Sequence, residues 1–151
     1  MTFQELLKVP TGTIVETWND GEIKCQIMRA HASLTAYFGI PLGSCIDGVP
    51  YDDIRLNVHG GLTFAREGQV DSGWEAGYYW IGWDYAHAGD AMFFEYDNSI
   101  PGIKQFQRAG DYKWGTEEVK ASMLDALPEL KKILIHKPIS QALRKFLRMF
   151  L

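Results

Sequence analysis

TIVETWNDGEIKCQIMR, residues 13–29, is the stretch on which the fold class turns. Ile14, Val15, Thr17 and Trp18 lead into Asn19-Asp20-Gly21, after which Ile23, Cys25 and Ile27 alternate with Lys24, Gln26 and Met28. A two-residue period on either side of an Asp-Gly turn is the pattern of a β-hairpin with one buried face. Because side chains alternate across a strand, the pattern puts Ile14, Glu16 and Trp18 on one face and Val15 and Thr17 on the other.

Toward the N-terminus, Thr2–Lys8 reads as a short helical turn capped by Thr2 and ended by Pro10. In the other direction, Ala30–Gly39 fits either a helical face or a strand, and Leu42–Asp53 is a Gly/Pro/Asp-rich loop. Ile54, Leu56 and Val58 alternate with Arg55 and Asn57 as in a half-buried strand, which Leu62 and Phe64 resume after Gly60-Gly61. Arg66–Gly77 is turn-like. Tyr78–Asp84, an aromatic run, reads as a central strand, and Ala91–Tyr96 as a further one. Asp97–Gly110 is irregular, with a turn at Pro101-Gly102.

A helix begins at Thr116, which is placed to cap it. Glu117 and Glu118 suit its positive end, and Val119, Met123, Leu127 and Leu130 form its apolar stripe. Pro128 is predicted to split it. After Pro138, Ile139, Ala142, Leu143, Phe146, Leu147 and Phe150 fall on one helical face. The pattern predicts one α+β domain over residues 1–151, a mainly antiparallel sheet with a C-terminal helix packed on it. Residues 131–151 form a basic amphipathic tail.

The composition, 46% hydrophobic and 23% charged over 151 residues, belongs to a folded domain with a sizeable core. Net charge is −4. The six bases from Lys131 onward face no acid, leaving nine bases against nineteen acids in the rest. An acidic body argues against nucleic-acid binding by the main domain. The tail suits docking on the domain, self-association or contact with an anionic membrane surface. Cys25 and Cys45 have neither metal-ligand spacing nor a disulfide framework, and Cys25 reads as a packed thiol. The N-terminal residues lack an apolar signal core and no run is long enough to span a bilayer, so a cytoplasmic location is expected.

Within LNVHGGLTFAREGQVDSGWEAGYYWIGWDYAHAGD, residues 56–90, ionisable groups sit among Trp, Tyr and Ile. Such placement is costly unless the groups are paired or used. His59-Gly60-Gly61, with Thr63 just beyond, offers an imidazole and backbone N–H groups that can hold an anion. It fits a Gly-Gly bulge equally well. Asp84-x-x-His87-x-x-Asp90 offers carboxylate and imidazole groups for acid–base work or a divalent metal. It also fits a capping network in which the two acids bind backbone N–H groups. Arg29, at a strand end, is placed to join them. The aromatics Trp74, Tyr78, Tyr79, Trp80, Trp83 and Tyr85 suit a core, or the stacking of a nucleobase or sugar.

Taken together, Arg29, His59, Gly60, Gly61, Thr63, Asp84, His87 and Asp90 point to binding of a small phosphorylated or nucleotide-like ligand. The alternative is a metal-dependent phosphoester hydrolase, with a divalent cofactor on His59, Asp84, His87 and Asp90. A third reading is an interaction module acting through the tail.

The order Cys25-x-x-x-Arg29, Tyr37-x-Gly39-x-Pro41, Tyr51-Asp52-Asp53, Val58-His59-Gly60-Gly61-Leu62-Thr63 and Trp80-Ile81-Gly82-x-Asp84-x-Ala86-His87-x-Gly89-Asp90 resembles a family of small hypothetical proteins of bacteriophages and prophages. The likeness covers roughly Lys24–Asp90 and the helix start at Thr116–Lys120. It implies a phage accessory protein at work in a bacterial host, and brings no established activity. The chain departs from the family pattern around His31, where a Gly-His step is missing, and in the basic, apolar tail after Leu130.

Overall fold

Strands β1 (Thr13–Asp20) and β2 (Ile23–Arg29) form the expected hairpin, in antiparallel register from Thr13↔Arg29 to Asp20↔Ile23. Gly21, at φ +58°, holds the first of two turn positions, where a primed hairpin turn requires positive φ. The computed structural model describes residues 1–135 and 149 of the chain. The expected helix after Pro138 lies outside the described residues.

The face assignment within β1 needs one correction. The register slips between Ile14 and Glu16, so Val15 is the extra residue of a bulge. Ile14 therefore turns outward, while Glu16 and Trp18 face inward opposite Ile27 and Cys25.

Residues 34–41 resolve as a strand, β3 (Leu34–Pro41). With β4 (Phe64–Glu67) and β5 (Tyr78–Asp84) it completes a five-stranded antiparallel sheet of order β1-β2-β3-β5-β4. Tyr78–Asp84 is interior, as its aromatic content predicts, because β3 and β4 flank it. Against one face lies α2 (Thr116–Leu134), which buries Val119, Met123, Ala126, Leu127 and Leu130 in a core shared with Cys25, Ile27, Ala36, Phe38, Ile81 and Trp83. The chain is thus α+β, as its pattern predicts. Lys120 pairs with Glu16 at 2.8 Å and Lys131 with Asp20 at 2.7 Å, steering the helix along β1. Solvent screens such pairs, so the apolar stripe is the main anchor.

The opposite face is covered by the β4–β5 connection. Gln26 Nε2 donates to Gly73 O at 3.1 Å, and Trp80 Nε1 donates to Glu75 O at 3.0 Å. The Trp74 ring packs on Tyr37 and Phe64. At the N-terminus, α1 (Phe3–Leu6) has the expected Thr2 cap, reciprocated by Glu5.

Four further readings are corrected. Ile54 and Leu56 are buried, but residues 54–58 pair with no strand among the described residues. Asn57 N donates to Glu129 Oε1 of α2 at 2.9 Å, so a helix side chain takes the place of a sheet partner. Residues 91–96 are not a strand. Phe93–Tyr96 is a 3₁₀ turn, pinned by Phe93 N on Ala32 O and Met92 N on Glu95 Oε1. Pro128 does not split α2, which runs unbroken to Leu134. An interior proline costs about 3 kcal/mol, whereas burial of each large apolar side chain contributes about 1.5–3 kcal/mol. Leu127 and Leu130, on either side of the proline, outweigh it. Finally, Gly115 rather than Thr116 occupies the cap, and Thr116 Oγ1 instead accepts from the Met1 ammonium at 2.5 Å. No helix among the described residues is long and apolar enough to cross a membrane.

Cys25 is buried mid-strand, and this burial pushes its thiol up to about 12 from 9.0. Between those values the unfolded chain loses the proton and the folded chain keeps it. Stability therefore falls as pH rises through that window. We expect a thiol-alkylating reagent to modify Cys25 only after unfolding. Cys25→Ala should flatten the loss of Tm above pH 9. Rapid labelling of native Cys25, or an unchanged alkaline slope in the variant, would contradict this account.

Candidate functional site

Strand β5 ends at Asp84, and the chain then turns sharply through residues 85–90. The turn closes with Asp90 N on His87 O at 2.9 Å and His87 N on Asp90 Oδ2 at 3.0 Å. Asp84 Oδ1 accepts from Ala86 N at 3.1 Å. Both acids therefore cap their own turn, as the capping reading predicts, and both have a second task.

Asp90 Oδ2 also binds His59 Nε2 at 2.7 Å, and Asp90 Oδ1 accepts from Trp114 Nε1 at 2.9 Å. The residue is only 5% exposed. A carboxylate buried to this degree is costly unless N–H donors surround it, and here three do so. Because Asp90 accepts from Nε2, the neutral His59 ring carries its proton there and has its lone pair on Nδ1. Nδ1 has no hydrogen-bond partner among the described residues. The His59 ring stacks on Tyr85 (centroids 5.0 Å, 9° between planes) and lies 5.1 Å from Trp114. Tyr85 is anchored in turn by Trp83 Nε1 at 3.0 Å and by Ser122 Oγ. Burial pushes its phenol up, partly offset by the bonds to Ser122 and Trp83, so it stays a neutral platform.

The second imidazole stands across from the first: His87 lies 5.5 Å from His59 between ring centres, at 66°. His87 Nε2 is 3.1 Å from Asp84 Oδ1, within ion-pair distance but not aligned for a hydrogen bond, and the atom is buried. The nearby carboxylate favours a proton on Nε2, which again leaves Nδ1 with the lone pair in the neutral ring. The burying surface is Gly60. A β-carbon there would fall 2.0 Å from His87 Nε2, and the residue's φ is +70°. The first glycine of the His59-Gly60-Gly61 run thus exists for the histidine of the other run.

The remaining candidates divide. Thr63 Oγ1 donates to Asp84 Oδ2 at a long 3.4 Å. The Gly61 amide turns back to Val58 O at 2.9 Å, which leaves at most the Gly60 amide of the expected pair to meet an anion. Arg29 is not with the cluster. It is 7% exposed, donates from Nε to Leu6 O and from Nη1 to Ala30 O and His31 O, and lies 4.0 Å over the Phe93 ring. The structure uses Arg29 to satisfy buried carbonyls.

His59, Asp84, His87 and Asp90 do not fit a metal. Among the described residues no three His, Cys, Asp or Glu side chains are grouped to hold one. The Asp90 oxygens already serve N–H donors. Trp80, Trp83 and Tyr85, weighed earlier as stacking groups, are core.

Sequence reasoning missed Trp114 and Tyr112. Tyr112 is 51% exposed and its ring lies 4.7 Å from that of Trp114. Both precede the α2 cap in a stretch with no periodic signal. The backbone pairing of Tyr112 with Gly89 and Ala91, together with the Trp114 indole on Asp90, draws them to the site. Comparison of the chain with protein-family models, curated proteins and solved structures gave no match in any of the three.

Proposed function

We propose that the protein binds a small phosphorylated, nucleotide-like ligand at His59 and His87. The observation that carries this reading is the imidazole pair itself: two rings 5.5 Å apart, His59 Nε2 bonded to Asp90 and His87 Nε2 within 3.1 Å of Asp84. A carboxylate on one nitrogen fixes the orientation of an imidazole, and an imidazolium donates from the other. Two such rings suit the oxygens of one phosphate. The exposed Tyr112 ring, beyond Trp114, offers a face on which a base can stack. In the setting implied by the phage resemblance, such a ligand would be a host signalling nucleotide that the protein sequesters.

Calorimetry against a panel of nucleotides and cyclic nucleotides, with and without divalent metal, tests the proposal. We expect saturable binding of at least one member, weakened at least tenfold by His87→Ala and several-fold by Tyr112→Ala. Silence across the panel overturns the reading.

A further inference from the structure

Among the described residues the site holds two imidazoles but no nucleophile of its own. Cys25 is buried in the core, Ser122 is bonded to Tyr85, and Thr63 leans on Asp84. Nor do its acids and histidines fit a metal that would activate water. What is present is a base and an acid. His59, with Nε2 on Asp90, can take a proton at Nδ1, and Asp90 stabilises the imidazolium that results. His87, whose Nε2 lies 3.1 Å from Asp84 Oδ1, can give one up when its ring carries both protons.

A pair of this kind works best on a substrate that brings its own nucleophile. An internal hydroxyl acts at an effective concentration of about 10⁵–10⁸ M, far above that of bulk water. Among nucleotide-like ligands, the 2′-hydroxyl of a ribonucleoside 3′-phosphodiester is such a group. The acidic body of the protein disfavours long RNA and leaves short or cyclic oligoribonucleotides.

From the juxtaposed His59–Asp90 and His87–Asp84 pairs we infer that the protein cleaves short oligoribonucleotides without metal, by transesterification. His59 removes the 2′-hydroxyl proton, and the 2′-oxygen forms a bond to phosphorus. The bond from phosphorus to the 5′-oxygen breaks, and His87 protonates the leaving oxygen. The products are a 2′,3′-cyclic phosphate and a 5′-hydroxyl. One proton is taken and one given, and no co-reactant is consumed. The inference rests on the binding reading above.

The test uses the full chain in EDTA with the sixteen ribodinucleoside monophosphates, two cyclic diribonucleotides and the 2′-deoxy counterpart of each. Products are identified by mass spectrometry and ³¹P NMR, and binding of the uncleavable deoxy forms is measured in parallel. We expect 2′,3′-cyclic phosphate from ribo substrates only. The rate should fall at least 100-fold in His59→Gln and in His87→Gln, each checked for native circular dichroism. Should His59→Gln fail to fold, His87→Gln alone decides. Binding of deoxy ligands without cleavage of ribo ones overturns the inference and spares the binding reading. The absence of both binding and cleavage overturns the two together. Cleavage that survives in a folded variant, that needs metal, or that is equal on deoxy substrates also overturns the inference.

Discussion

Asp90→Ala is expected to lower the stability of the fold by about 3–5 kcal/mol, the largest single effect in the site, and to abolish ligand binding. The estimate follows from what the carboxylate holds: His59 Nε2, the His87 amide and Trp114 Nε1. Hydrogen bonds to a charged group contribute about 1.5–3 kcal/mol each, and donors left buried and unpaired cost further. The three bonds share one anchor, so their losses do not add in full. Asp90→Asn keeps an acceptor for part of the set and should fall between wild type and alanine. Urea unfolding measures the loss. The His59 ring resonances should change with it, because the neutral tautomer is no longer fixed. A loss below 1 kcal/mol would mean that the network is not closed as described.

Gly60→Ala comes second. Its β-carbon would meet the His87 ring at 2.0 Å on a backbone held at φ +70°. Left-handed backbone costs an L-residue about 1–2 kcal/mol, and displacement of a packed ring adds about 1–3 kcal/mol. We expect about 2–5 kcal/mol in all, the rough sum of those two terms. The His87 ring should be pushed away from His59, and nucleotide binding should be lost with it. Gly61→Ala is the control. Its φ is +81°, yet nothing lies within 4 Å of the added carbon. It should lose only the backbone share and keep binding. Equal effects from the two substitutions would show that conformation alone, and not the ring contact, selects glycine here.

The parts of this fold legible in the sequence are those decided over short spans. The hairpin around Asp20-Gly21, the aromatic strand at Tyr78–Asp84 and the α2 stripe each carry their own period. What was misread depends on a partner elsewhere in the chain. Ile54 and Leu56 alternate like a strand, but their segment meets a helix glutamate in place of a neighbouring strand. Arg29 has the chemistry of an anion ligand. The carbonyls of Leu6, Ala30 and His31 claim it, and no local pattern announces them. The site divides in the same way. His59, Asp84, His87 and Asp90 stood out as ionisable groups among aromatics, and they meet as two linked pairs. That Gly60 makes room for His87, and that Trp114 braces Asp90, are contacts across 27 and 24 positions that periodicity cannot register.

The bulge at Val15 and the brevity of β4 have a consequence for neighbouring molecules. A sheet's two outer strands present free amides and carbonyls on which a foreign strand can grow. Here one outer strand is kinked near its beginning and the other is four residues long. Neither gives an approaching chain a long flat template, which removes a usual route from an antiparallel domain to fibrous aggregates.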